Sequence, residues 1–170
     1  HDEAIAEYNE AIKVKADDAD LWYNKGVAYH KSGNSQQAVA AYDEVIKINP
    51  KIAHVWNNKG VALHDLNKPA DAVAAFEEAI KLNPRYAKAW NNKGDAYADM
   101  GKFDEALKAF DEAVKIDPQF LEAWHNKGDA FTEIAHFEEA VAAYDQALKI
   151  NSRDAITWNS KGEALLKSGQ

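Results

Sequence analysis

Two histidines, His30 and His64, stand 34 residues apart in similar local sequence, so they occupy equivalent sites and could approach each other. Two imidazoles without a third ligand make a poor zinc site, and the chain has no cysteine to supply one. The same lack removes disulfides and thiolate nucleophiles. No His-Glu-x-x-His run and no glycine-rich phosphate loop occurs, and Gly101-Lys102 is an isolated turn pair. No nucleophile is paired with a base in a recognisable signature. Carboxylates are plentiful but fall on helix surfaces, which gives paired-carboxylate catalysis no site. Neither catalysis, a metal nor a cofactor is expected.

Amide chemistry, by contrast, recurs. Asn24, Asn58, Asn92 and Asn126 follow one another at intervals of 34 residues, with Ser160 next in the series. An amide carries donors and an acceptor together, so a ladder of them can hold the backbone of an extended peptide without reading its side chains. Duplication of one ancestral unit explains the recurrence equally well. Three residues further on, the series reads Val27, Val61, Asp95, Asp129 and Glu163, and four beyond that Lys31, Asp65, Asp99, Glu133 and Lys167. The surface carrying them is expected to be fairly apolar early in the chain and acidic later. A ligand with Lys or Arg is then favoured toward the C-terminal half, although a plain solvated face has the same pattern.

The elements that must carry these residues follow from the repeat. Trp22, Trp56, Trp90, Trp124 and Trp158 are spaced by 34, and each is followed four residues later by Gly26, Gly60, Gly94, Gly128 or Gly162. Counting each unit from three residues before its tryptophan, position 20 is Ala38, Ala72, Ala106 or Ala140. Position 24 is Tyr42, Phe76, Phe110 or Tyr144. Positions 4, 8 and 11 share one helical stripe, and 20, 21, 24, 27 and 28 form a second. A break falls near position 15, at Gly33, Gly101 and Gly169, and Pro50, Pro84 and Pro118 stop the second helix. Each unit is a short antiparallel helix pair with too little core to stand alone, so units must stack. The tryptophans are read as packing groups, with Trp90→Ala costing roughly 3–5 kcal/mol.

These residues resemble the tetratricopeptide repeat family, whose 34-residue pattern combines Trp at 4, Gly at 8, Ala at 20, an aromatic at 24 and Pro at 32. The resemblance covers the whole chain and implies an all-α, right-handed superhelical solenoid of about ten helices. One departure recurs: the usual Leu at position 7 is Lys25, Lys59, Lys93, Lys127 and Lys161. A lysine stem can cover apolar surface while its ammonium reaches water. Relative to position 2, positions 6, 9 and 13 fall within about 40° on a helix, opposite the core stripe. The resemblance implies that this stripe lines a concave groove and meets a peptide or extended protein segment. The candidate ligand-binding residues are Asn24, Asn58, Asn92, Asn126, Tyr23, His30, His64, Lys88, Asp95, Asp99, Asp129 and Glu133. Family members that clamp an acidic C-terminus need Lys at 5 and Asn at 9. Here position 5 is Tyr23, Asn57, Asn91, His125 and Asn159, and position 9 is never Asn. Only Asn at 6 and Lys88 at position 2 match, so chaperone tails are not expected ligands.

The frame gives a single array: 1–18 as the second helix of a truncated repeat (His1 to about Val14), repeats at 19–52, 53–86, 87–120 and 121–154, and 155–170 with a first helix from about Ile156 to Lys167. Such cuts suggest a fragment of a longer array. They should expose Ile5, Tyr8 and Ile12 at one end and Trp158 and Leu165 at the other, and could permit head-to-tail self-association. The net charge of -8 disfavours nucleic acid and anionic membrane surfaces. No apolar run reaches the roughly 18 residues of a membrane helix, and cysteine-free composition fits a cytoplasmic setting. A protein-interaction scaffold is the leading expectation. The alternatives are a structural spacer or self-assembling module without a groove ligand, and a piece of an enzyme whose catalytic domain lies elsewhere.

Overall fold

The computed structural model describes residues 2–169. His1 and Gln170, the outermost residues of the expected 1–18 and 155–170 segments, lie outside the described residues. The helices are α1 (Asp2–Val14), α2 (Ala19–Lys31), α3 (Ser35–Ile48), α4 (Ala53–Asp65), α5 (Pro69–Leu82), α6 (Ala87–Asp99), α7 (Phe103–Ile116), α8 (Leu121–Glu133), α9 (Phe137–Ile150) and α10 (Ala155–Ser168). Among the described residues there is no strand, and no helix is long and apolar enough to cross a membrane. The chain gathers into two compact units, residues 1–84 with α1–α5 and residues 85–170 with α6–α10. Inside them α2–α3, α4–α5, α6–α7 and α8–α9 pack most densely, each pair lying within one sequence period.

Local chemistry sets the helix ends. The turn inside each pair needs a left-handed residue, with φ of 78° at Gly33 and 69° at Gly101. Asn67 and Ala135 take the same conformation at φ of 55° and 60°, and for alanine this is strained. The second helices end at Asn49, Asn83, Asp117 and Asn151, all extended. Three of these precede proline, which disfavours helical backbone before it. Asn151 precedes Ser152 and ends its helix in the same way, because its Oδ1 accepts from the Arg153 N–H at 3.1 Å. Asn49 and Asp117 accept identically from Lys51 and Gln119, so the side-chain turn stops the helix with or without proline.

The core is built by rings lying on glycines. Tyr42, Phe76, Phe110 and Tyr144 are the largest fully buried side chains. A Cβ placed on Gly60 would sit 2.5 Å from Phe76 Cε1, and one on Gly128 2.4 Å from Tyr144 Cε1. The tryptophans flank these rings as packing groups: Trp22, Trp56, Trp90 and Trp124 are half-buried, Trp90 and Trp124 pack against buried Ala113, Val114 and Ala123, and Trp158 is 52% exposed. Four of the indoles also work as latches. Trp22, Trp56, Trp124 and Trp158 donate Nε1–H to the carbonyls of Ala16, Pro50, Pro118 and Ser152 at 2.8–3.1 Å.

The position-7 lysines also differ from expectation. Their ammonium groups do not simply reach for water; they lie over the indoles, at 4.7 Å for Lys25 and 5.2 Å for Lys127. Lys59, Lys127 and Lys161 pair at the same time with Asp43, Asp111 and Asp145 at 2.6–2.7 Å. Each lysine thereby ties the first helix of one period to the second helix of the period before. At the equivalent place before Lys25 the sequence has Asn9, and burial pushes the Lys25 pKa down. Ile5 and Ile12, expected to be exposed, are buried, because α1 packs on α2. Tyr8 and Leu165 are half-buried. The exposed apolar side chains near these ends are Val14, Ile156, Trp158 and Leu166.

Candidate functional site

In the first unit the predicted stripe runs along α2 and α4. Asn24 is exposed, and Tyr23, His30, Asn58 and His64 are half-buried. The amides do not stand as independent rungs. Asn58 Nδ2 donates to Tyr23 Oη at 3.2 Å, and the Tyr23 ring packs edge-on against His54 with centroids 5.0 Å apart. His30 Nε2 lies 2.7 Å from Asp65 Oδ2, which also accepts from Ser35 Oγ at 3.3 Å. His30 therefore finds a carboxylate on the next first helix. No three metal-ligating side chains come together among the described residues.

In the second unit the stripe runs along α6 and α8. Lys88, Asp95, Asp99, Asp129 and Glu133 are exposed, and Asn92 and Asn126 are half-buried. Asn126 Nδ2 donates to Asn91 Oδ1 at 3.2 Å, which repeats the geometry of Asn58 on Tyr23. Asn92, Asp95, Asp99 and His64 have interaction partners as well. Four predicted residues, Asp95, Asn126, Asp129 and Glu133, meet around one small cleft of about 80 Å³ with Phe103 and Phe110 in its wall. Asp129 is already engaged there. Its Oδ1 accepts from Tyr144 Oη at 2.7 Å, and its Oδ2 lies 3.2 Å from His125 Nε2. Burial raises the Tyr144 pKa well above the usual phenol range, so the phenol stays a donor. The Asp129 contact raises the His125 pKa against the opposing effect of burial.

Several features escaped the sequence reading. Position 5 supplies the inter-repeat partners: Asn57 and Asn91 are 1% and 7% exposed. Its run of Tyr, Asn, Asn, His and Asn was a visible signal. Larger clefts also lie away from the stripe, beside the lysine-capped tryptophans. One of about 500 Å³ is lined by Val39, Asp43, Trp56, Lys59 and Leu63 with residues of α5. Others of about 290 Å³ surround Trp22 with Lys25, and Trp124 with Lys127. Nothing in the residue types distinguishes these hollows from packing.

Sequence profiles described as tetratricopeptide repeat match residues 19–52, 57–120 and 97–161, and one described as TPR repeat matches residues 1–33. The chain belongs to the tetratricopeptide repeat (TPR) family. None of the curated proteins is a significant match. Among solved structures this TPR chain is similar to MamA, with a TM-score of 0.83 at 25% identity over 89% of this chain and 88% of that chain. It is also similar to YrrB, described as a TPR protein with an unusual peptide-binding site, with a TM-score of 0.81 at 23% identity over 95% and 83% of the two chains. A third is TTC0263, a thermophilic TPR protein in Thermus thermophilus, with a TM-score of 0.78 at 21% identity over 97% and 90%. These likenesses establish the TPR fold.

Proposed function

We propose that this TPR chain is a non-catalytic protein-interaction scaffold whose first-helix faces bind an extended protein segment, with basic side chains favoured on the second unit. The observation that carries this reading is the cleft where Asp95, Asn126, Asp129 and Glu133 converge over Phe103 and Phe110. Carboxylates and an amide around an aromatic wall suit the stem and head of a Lys or Arg side chain. The description of YrrB as a peptide-binding TPR protein supports the same class of ligand. A cytoplasmic setting belongs to the proposal on the strength of the cysteine-free composition.

The test is calorimetric titration of Lys- and Arg-containing extended peptides against the chain and its Asp95→Asn/Glu133→Gln variant. These exposed groups together account for about 1 kcal/mol, or roughly fivefold in Kd at low salt, and the difference shrinks as salt rises. Equal affinity for both proteins contradicts the proposal.

A second reading, head-to-tail self-association, has its own observation. A Cβ on Gly162 would meet nothing within 4 Å, whereas those on Gly26, Gly60, Gly94 and Gly128 would each meet an aromatic ring. On α1, Tyr8 occupies the register of those rings. Sedimentation showing mass rising with concentration, and abolished by Tyr8→Glu, supports this reading; a monomer at all concentrations removes it.

A further inference from the structure

Two departures from the repeat meet each other in space. Position 5 is Tyr23 in the first period, Asn57, Asn91 and Asn159 in three others and His125 in the fourth. Position 3 is Leu21, Val55, Ala89 and Ala123 but Thr157 in the last. The structure puts His125 Nδ1 on α8 2.8 Å from Thr157 Oγ1 on α10, and Thr157 is fully buried.

The partners on each side of the ring favour one protonation state. Thr157 Oγ1 donates its one proton to Asp154 Oδ2, which caps α10 and also accepts the Thr157 N–H at 3.2 Å. The hydroxyl then has only lone pairs to offer His125, so Nδ1 must donate. On the other side Nε2 faces Asp129 Oδ2 at 3.2 Å, and a carboxylate only accepts. An imidazolium, with both nitrogens donating, is the form that satisfies both partners at once. The titratable groups around the ring are Asp129 on α8, Tyr144 on α9 at a centroid distance of 5.7 Å, and Asp154 at the start of α10. None of them is a cation.

We infer that His125 is a proton-binding site that clamps α8 to α10, tightest while the imidazole is doubly protonated and weakened when it loses one proton. A neutral ring has one N–H: kept on Nε2 it leaves a lone pair facing Thr157, and kept on Nδ1 it sets a lone pair against the Asp129 carboxylate, so the bond that ties α8 to α10 is weakened either way. The raised pKa agrees in direction. A histidine raised in the folded state stabilises fully below its ordinary value of about 6.5. That contribution disappears as pH rises through the folded-state value. The inference holds whether or not the first-helix face takes a ligand.

The test is imidazole nitrogen NMR across pH, read beside amide hydrogen exchange in α10. The His125 midpoint should lie above the ordinary imidazole value of about 6.5. Thr157→Val, which keeps the buried shape and removes the acceptor, should lower its midpoint by about one pH unit and leave the other histidines unchanged. Exchange in α10, corrected for intrinsic rates, should quicken above the His125 midpoint in the wild type. In His125→Asn, which gives the side chain of three other periods, that pH dependence should vanish. If Thr157→Val does not fold, the wild-type titration and exchange still decide. A His125 midpoint at or below the ordinary imidazole value of about 6.5, or α10 protection that ignores pH, overturns the inference.

Discussion

Adding one methyl group at two equivalent glycines should move stability in opposite directions. A Cβ on Gly94 would lie 2.6, 2.7 and 2.9 Å from Cε1, Cδ1 and Cζ of Phe110. That ring is 1% exposed, sits against Ala106 and Ala130, and is enclosed by Tyr97, Phe103 and Leu107. It cannot withdraw without displacing them. Overpacking of this kind costs about 1–3 kcal/mol, and three close contacts on a fixed ring place Gly94→Ala toward the upper end. The helix-propensity gain of alanine over glycine, about 1 kcal/mol, offsets part, leaving a net loss of about 2 kcal/mol. At Gly162 the same Cβ meets nothing within 4 Å, so Gly162→Ala keeps the propensity gain and should stabilise by up to about 1 kcal/mol. Urea unfolding followed by helix circular dichroism measures both, and hydrogen exchange separates α6–α7 from α10. Midpoints that fall equally, or a Gly94→Ala protein as stable as the wild type, would refute the ring-on-glycine account of the core.

Other changes test the remaining contacts. Ala135→Gly should stabilise by about 1 kcal/mol in thermal unfolding, because the left-handed backbone there costs alanine and not glycine. Trp124→Phe keeps most of the packing but loses the Nε1 bond to the Pro118 carbonyl, and should lower stability by about 1 kcal/mol. Phe76→Ala should cost about 3–5 kcal/mol, whereas Trp158→Ala, at a half-exposed indole, should cost under about 2 kcal/mol. Asp111→Asn should leave Lys127 over its indole yet weaken the tie from α8 to α7 by up to about 1 kcal/mol.

The helix pairs were legible because the signals for them are local and recur. Trp with Gly four residues on, the small residue at 20 and the ring at 24 fixed the period and both stripes. The long-range partners were harder to see. Lys59 finds Asp43 in the preceding period, and nothing near Lys59 in the sequence points to that carboxylate, so its stem alone could be interpreted. The two adjacent amides of Asn57 and Asn58 lie about 100° apart on α4. Helical geometry assigned Asn58 to the open stripe but could not show that Asn57 is enclosed or that Tyr23 takes the Asn58 amide. The acidic character of the second unit was readable, since Asp95, Asp129 and Glu133 do gather at one cleft. The engagement of Asp129 by His125 and Tyr144 was not, because it needs three side chains from two helices.

Chemical-shift mapping with a basic extended peptide tests the central claim most directly, since it reports binding and location together. The account predicts that the side-chain amides of Asn92 and Asn126 and the backbone of α6 and α8 around Asp95, Asp129 and Glu133 shift on titration, while the Trp56–Lys59 and Trp124–Lys127 clefts stay unchanged. Shifts centred on those tryptophans, with the α6 and α8 stripe silent, would contradict it.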